Sequence, residues 1–181
     1  MDVNNILNSI LDDSYYPNVN DNKFNYKIYR KKEFYENKMS IVKKQNVNKG
    51  FVKSNNQKLA RNFLSPNTPY NGLLLWYDVG VGKTCAAIGI SETYKEYVYS
   101  YNKKILILVP SDTLIKNWKD TIFNLEKEIN KYKSNETHNV QCTGNSYNSV
   151  IKGFNYDKDF NIDRLKVLRN KEINKYYEFR G

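Results

Sequence analysis

Apolar runs alternate with helix-spaced apolar positions through the middle of the chain. Residues 73–77 (LLLWY) and 105–109 (ILILV) are continuous apolar runs of strand length, typical of strands buried on both faces of a parallel sheet. Helical spacing follows each run, at Ala86, Ala87, Ile90 and Tyr94 and then at Leu114, Ile115, Trp118, Ile122 and Leu125. The order strand, helix, strand, helix predicts a parallel α/β sheet with right-handed crossovers.

Weaker patterns flank this unit. Residues 55–64 (NNQKLARNFL) place Leu59, Phe63 and Leu64 on one face of a helix that ends before two prolines and Gly72. Residues 138–142 (HNVQC) suggest a third strand, residues 164–179 (RLKVLRNKEINKYYEF) a C-terminal helix, and residues 3–11 and 33–39 short helices. We predict a polar, weakly structured N-terminal extension over residues 1–50 and an α/β domain over residues 51–181.

A glycine turn joins the first predicted strand to its helix, in the sequence DVGVGKT at residues 78–84. A bound phosphate chain needs converging backbone N–H groups, a compact cation and a hydroxyl that holds magnesium. Gly80 and Gly82 can adopt the required dihedrals, Lys83 supplies the cation, and Thr84 supplies the hydroxyl. The helix that begins here adds its free N–H groups. We predict a nucleotide loop, with Lys83 and Thr84 as catalytic groups, Thr84 as magnesium ligand, and cofactor contacts from Val79, Gly80, Val81, Gly82, Lys83, Thr84 and Cys85.

Two further sites fit around this loop. The strict phosphate-loop pattern has a glycine at position 77, where this chain has Tyr77, so the loop is a variant or, alternatively, only a tight turn. Gln57 could pair with the adenine edge through its side-chain amide, unless it is an ordinary exposed helix residue. Pro110, Ser111 and Thr113 follow the second strand, where a helix N-terminus can hold a nucleic-acid phosphate or merely be capped.

Positive charge is concentrated near the N-terminus of a chain whose net charge is +10. Residues 23–53 contain ten Lys or Arg against Glu33 and Glu36. Aromatic residues are interleaved with these cations, as in surfaces that neutralise a nucleic-acid backbone and stack on its bases: Phe24, Tyr26, Tyr29, Phe34 and Tyr35. The alternative is a solvated basic linker.

Cys85 and Cys142 lie 57 positions apart, with no further Cys and no His at metal-ligand spacing. This pattern predicts two buried thiols in a reducing compartment and no disulfide framework. The acidic start of the chain does not resemble a secretory signal, and no apolar run approaches the roughly 20 residues of a membrane span. We expect an intracellular protein with no membrane partner.

Acidic residues that would serve hydrolysis are missing from the sequence. NTP hydrolysis uses an acidic residue at a strand end to hold the metal's water shell. No Asp-Glu pair occurs in the chain, and no apolar strand after Val109 ends in Asp. We expect the chain to bind a nucleotide but not to hydrolyse it alone.

These motifs carry a family resemblance. Gln57, residues 65–92 (SPNTPYNGLLLWYDVGVGKTCAAIGISE) and residues 105–118 (ILILVPSDTLIKNW) resemble the opening motifs of superfamily 2 helicases, including SNF2-type DNA translocases. The nearest likeness is to helicase-like ATPases of nucleocytoplasmic large DNA viruses, such as the large subunit of the poxvirus-type early transcription factor. Residues 141–147 (QCTGNSY) and 176–181 (YYEFRG) are also similar to segments of that group.

The resemblance implies an incomplete RecA-like P-loop domain that uses ATP and Mg²⁺ and moves on nucleic acid, DNA being favoured over RNA. It implies a viral RNA polymerase or the remainder of the helicase as partner, in the host cytoplasm or the virion. The acidic (Walker B) motif and the second motor domain are missing, so we expect the N-terminal portion of a longer or split enzyme. A non-catalytic scaffold subunit that binds nucleotide or nucleic acid is the alternative, and a small P-loop kinase is disfavoured because no Arg-rich lid follows.

Overall fold

The computed structural model describes residues 16–37, 50–152 and 161–181, and the predicted helix at residues 3–11 lies outside them. The helices are α1 (Phe24–Arg30), α2 (Lys32–Tyr35), α3 (Asn55–Phe63), α4 (Lys83–Ser100), α5 (Asp112–Ile122), α6 (Leu125–Lys133) and α7 (Ile162–Ile173), with a 3-10 turn at Asn148–Val150. The strands are β1 (Ile105–Leu108) and β2 (Tyr177–Arg180). Within the described ranges, no helix is both long and apolar enough to cross a membrane.

The two strands pair in parallel, which confirms the predicted α/β class and sheet type. Ile105 lies opposite Tyr177 and Leu108 opposite Arg180, and the ladder extends through the N–H of Val109, which donates to the Arg180 carbonyl at 2.9 Å. Parallel neighbours need a long crossover, and here α5, α6 and α7 form it.

The predicted burial of the strands on both faces is wrong. Ile107 is buried, whereas Leu106 and Leu108 on the opposite face of β1 are exposed. Residues 73–77 form no strand at all, and Leu74 and Trp76 are 80% and 89% exposed. An apolar run becomes a central strand only where neighbouring strands satisfy its backbone and helices cover both faces. In the described part of the chain, neither condition is met around residues 73–77.

The predicted single helix after β1 is two helices, and the break is held by Gln141. The N–H of Asn124 donates to Gln141 Oε1, and Gln141 Nε2 donates to the Asn124 carbonyl, both at 2.9 Å. Asn124 also caps α6, because its side chain accepts from the N–H of Lys127. The Thr143 hydroxyl donates to the Ile122 carbonyl at 2.7 Å. Residues 138–142 are not the predicted strand, and Gln141 within them binds the helix junction instead.

The C-terminal helix prediction is correct for its first part and wrong for its last. α7 ends at Ile173, and residues 177–180 form β2 instead of continuing the helix. Tyr177 is buried, Glu178 and Phe179 are partly exposed, and Arg180 is exposed, so exposure rises along the strand. A 3.6-residue apolar period and a β-rich tail of this length are hard to separate by pattern alone.

Glu92 of α4 links the helix to the main core, which contains Ile88, Tyr147, Leu165 and Tyr177 among other buried residues. The phenols of Tyr147 and Tyr177 both donate to Glu92 Oε1, at 2.8 and 2.6 Å. Burial, and next the negative charge of Glu92, raises the pKa of both phenols, which keeps them protonated as donors. Lys95 pairs with the second oxygen of Glu92 at 3.5 Å and lies over the Tyr147 ring.

Replacing Glu92 by alanine should lower the free energy of unfolding by about 3 kcal/mol, because two buried phenols would lose their acceptor. Urea denaturation followed by circular dichroism measures this change. Glu96→Ala is the matched control, since Glu96 lies one turn further along α4 and is exposed. Equal effects of the two substitutions would contradict the role given to Glu92.

A second, aromatic cluster joins residues 16–37 to α3. Ile28, Phe34 and Tyr70 are buried in it, and Tyr16, Phe24, Leu59 and Phe63 pack around them. The rings of Phe63 and Tyr70 stack with centroids 4.3 Å apart. Phe34 is therefore too buried for the base stacking that the sequence suggested, and Phe24 is partly buried against the same cluster. Tyr26, Tyr29 and Tyr35 of the same stretch are exposed.

Candidate nucleotide site

The glycine loop has the backbone conformation that its sequence predicts. Gly80 and Gly82 have φ of 83° and 87°, in the left-handed region that side chains disfavour. Gly82 is the N-cap of α4 and offers no side-chain acceptor to the helix. The first N–H groups of α4 therefore have no capping partner from that residue, and they point toward the loop, where an anion can meet them.

Lys83 lies over the loop. Its Nζ donates to the Tyr77 carbonyl at 2.8 Å and to the Asp78 carbonyl at 3.0 Å, and the side chain is exposed. Thr84, half-buried, follows in the first turn of α4. The ammonium is thus bound to two neutral backbone acceptors, which an incoming phosphate would outcompete. These two acceptors cannot be found from the sequence, because backbone carbonyls leave no signature in residue type.

Gln57 lies directly beside the loop and is only 7% exposed. Its Nε2 donates to the Gly82 carbonyl at 3.2 Å, and its Oε1 accepts from the N–H of Ser54 in a capping box. A Cβ on Gly82 would lie 2.6 Å from Nε2, so a side chain at residue 82 would displace the Gln57 amide from this position. The structure places Gln57 at the site, with its amide engaged by the protein; the adenine contact stays a prediction.

The bonding state of Cys85 differs from the prediction. Cys85 and Cys142 form a disulfide, with Cα atoms 5.8 Å apart, so they are not the two separate thiols expected. Both are buried, as predicted. A separation of 57 positions hid the pair, because only the fold brings the first turn of α4 against residues 139–146. Since the sulfur is engaged, Cys85 can offer a phosphate only its backbone N–H.

Pro110, Ser111 and Thr113 lie at the carboxyl end of β1, and all three are exposed. Ser111 is the N-cap of α5, and its hydroxyl accepts from the N–H of Leu114 at 3.4 Å. This is the capping alternative named above, and an exposed cap of this kind leaves the nucleic-acid contact a prediction.

Metal ligands of the protein itself are sparse. The described part of the chain contains no group of three or more His, Cys, Asp or Glu side chains placed to hold a metal ion. The Thr84 hydroxyl adjoins the loop, however, which fits a magnesium ion that arrives with the nucleotide and takes most of its ligands from phosphate and water.

A loop with two left-handed glycines, a lysine at the start of the following helix and a parallel α/β scaffold are typical of domains of the P-loop class. Within that class the chain carries a helicase-type domain: it belongs to the family described as "Type III restriction enzyme, res subunit", which matches residues 52–176. The resemblance stated from the motifs is confirmed.

Several similar proteins come from viruses. The "Putative ATP-dependent RNA helicase" of Acanthamoeba polyphaga mimivirus is 30% identical over 95% of this chain and 15% of its own length. A "Putative helicase" of Frog virus 3 is 36% identical over 68% of this chain and 11% of its own length. The "Early transcription factor large subunit homolog" of African swine fever virus (isolate Tick/Malawi/Lil 20-1/1983) is 40% identical over 29% of this chain and 5% of its own length. The chain thus spans a small part of these relatives, and no solved structure matches it.

Proposed function

We propose that this chain is the nucleotide-binding portion of an ATP-dependent helicase or translocase of a virus, with a role in transcription. The observation that carries the proposal is the loop itself: two left-handed glycines, an uncapped helix N-terminus, and Lys83 held only by carbonyls. The relatives' printed names support helicase action, one of them with a link to transcription.

Each group of the loop has a proposed role toward ATP. The N–H groups of residues 80–85 bind the phosphate oxygens, and Lys83 neutralises the β- and γ-phosphates. Thr84 Oγ1 orients magnesium, which when bound offsets the phosphate charge. Gln57 positions the loop, because its Nε2 donates to the Gly82 carbonyl. The same side chain is the proposed contact for the adenine edge.

Nucleic acid is the proposed partner, with Pro110, Ser111, Thr113 and the exposed tyrosines of residues 23–53 as contacts. DNA over RNA remains our prediction, and the mimivirus relative's name specifies RNA. A viral RNA polymerase or the remainder of the helicase is the proposed protein partner, in the host cytoplasm or the virion. We also propose that the chain divides into an N-terminal extension, residues 1–50, and a helicase-type domain, residues 51–181.

The isolated chain should bind ATP yet turn it over only at a background rate, with no stimulation by nucleic acid. The reason is that β1, the described strand that follows the loop, leads into Val109 and Pro110 and not into an acidic residue. Phosphate release is the measurement, made alone, with single-stranded DNA and with RNA. Robust turnover would contradict the claim that hydrolysis needs groups supplied from elsewhere, and stimulation by RNA alone would overturn the preference for DNA.

A further inference from the structure

A basic cavity lies on the flank of α4, away from the glycine loop. It has a volume of about 570 Å³, in the range of small-molecule sites, and lies between α3, α4 and residues 139–146. Its lining includes Lys53, Lys58, Arg61, Lys95, Thr143 and Ser146. Glu92 also lines the cavity, and it lies nine residues after Lys83, which is about 14 Å along the helix axis. No residue of the glycine loop lines this cavity.

We propose that this cavity is a second anion site, which binds a phosphate group through Lys53, Lys58 and Arg61. The site is independent of the nucleotide loop and goes beyond the proposed function.

Three of the cations that line the cavity have no carboxylate partner among the described residues, whereas Lys95 pairs with Glu92. Within the described residues, no carboxylate lies within ion-pair distance of Lys53, Lys58 or Arg61. Glu92 is engaged by two phenols and by Lys95. Glu96 is exposed and also lines the cavity. Three cations therefore face the cavity against one uncommitted carboxylate, an excess that favours an anion with more than one negative charge.

The charged form of Lys53 is disfavoured by its surroundings. Its side chain is half-buried, and its ammonium reaches Gly89 of α4, where a Cβ would be 4.0 Å from Nζ. Burial lowers the pKa of Lys53, the charge of Arg61 lowers it further, and Glu92 offsets this only in part. A half-buried ammonium beside a guanidinium is stabilised when an anion enters between them.

The chemistry of the donors selects phosphate. Arg61 offers a planar pair of N–H groups and the two lysines offer point charges, which together suit a tetrahedral oxyanion. The hydroxyls of Thr143 and Ser146 already donate to the carbonyls of Ile122 and Thr143. The cations are therefore the main donors for the ligand, and the phosphate can belong either to a small molecule or to a nucleic-acid backbone.

The site is tested by titrating the chain with pyrophosphate and following its backbone amide shifts. The chain carries Lys83→Ala, which suppresses binding at the glycine loop. We expect saturable shifts at Lys53, Thr143 and Gly144, and a loss of affinity of at least about tenfold in Arg61→Gln. Lys103→Gln, which removes an exposed charge outside the cavity, should change affinity less than about twofold. Unsaturable shifts, or an equal loss in both variants, would overturn the proposal.

Stability gives a second readout. Without anion, Lys53→Met should unfold at a higher urea concentration than the parent, because it removes a half-buried charge beside a guanidinium. Pyrophosphate should stabilise the parent and not the variant. A Lys53→Met variant that is less stable than the parent without anion would contradict the account.

A short single-stranded oligonucleotide distinguishes the two possible sources of the phosphate group. Competition with pyrophosphate at the same amides assigns the site to a nucleic-acid backbone, and no competition assigns it to a small phosphorylated ligand. Because the loop is silent throughout, failure of the nucleotide proposal would leave these results unchanged.

Discussion

Lys83→Ala should lower the affinity of the chain for ATP by at least about 100-fold, which removes detectable binding at ordinary concentrations. Lys83 is the cation of the loop, and its present acceptors are neutral carbonyls of Tyr77 and Asp78. Charge-assisted contacts with two phosphates are much stronger than these, so the binding energy depends on this side chain. Because the side chain is exposed, its removal should leave the fold intact.

Fluorescence titration with a labelled ATP analogue and Mg²⁺ measures the change. Lys104→Ala is the matched control. Lys104 is exposed and lies outside the loop, and its substitution by alanine removes the same charge from the chain. Thermal unfolding of both variants shows whether each is folded. Unaltered affinity in Lys83→Ala, with the fold retained, would remove the nucleotide site.

Reduction of the Cys85–Cys142 disulfide should lower the free energy of unfolding by about 4 kcal/mol. The bond closes a loop of 57 positions, and loop-closure entropy in the unfolded chain gives a value of this size. The bond also ties the first turn of α4 to residues 139–146, which pack against the α5–α6 junction. Loss of the bond therefore weakens the support behind the glycine loop.

Urea denaturation with and without dithiothreitol measures this effect, and thiol titration under denaturing conditions counts the free cysteines. The variant with both Cys85→Ala and Cys142→Ala is the control, because its midpoint should not respond to reductant. Two titratable thiols in the untreated protein, together with a midpoint unaffected by reductant, would restore the reading of two separate buried thiols.

Local signals predicted three of the elements, and long-range contacts account for several of the errors. α3, α4 and β1 follow from their apolar spacing. The break at Asn124 depends on Gln141, which is 17 positions away, and no periodicity records it. Residues 73–77 have the composition of a buried strand, yet a strand also needs neighbours. Phe24 and Phe34 have the composition of a stacking surface, yet Tyr70 and Phe63 meet them first.

At the site, the glycine conformation and the position of Lys83 follow from the motif, because few residue types meet those backbone and charge requirements. The approach of Gln57 to Gly82 is compatible with the sequence but not derivable from it, since it depends on how α3 packs on α4. The meeting of Cys85 with Cys142 and the cluster of Lys53, Lys58 and Arg61 needed the fold. Chemistry carried by one short segment is readable from sequence, and chemistry shared between segments is not.

The central claim is that the glycine loop is a nucleotide site, and titration of the unmodified chain with Mg²⁺ and a non-hydrolysable ATP analogue, followed by backbone amide shifts, tests it most directly. The account predicts saturable shifts that are largest at residues 80–85, with smaller ones at Gln57 and Ser54. No shift at residues 80–85 while the chain is folded, or saturable shifts confined to other parts of the chain, would contradict it.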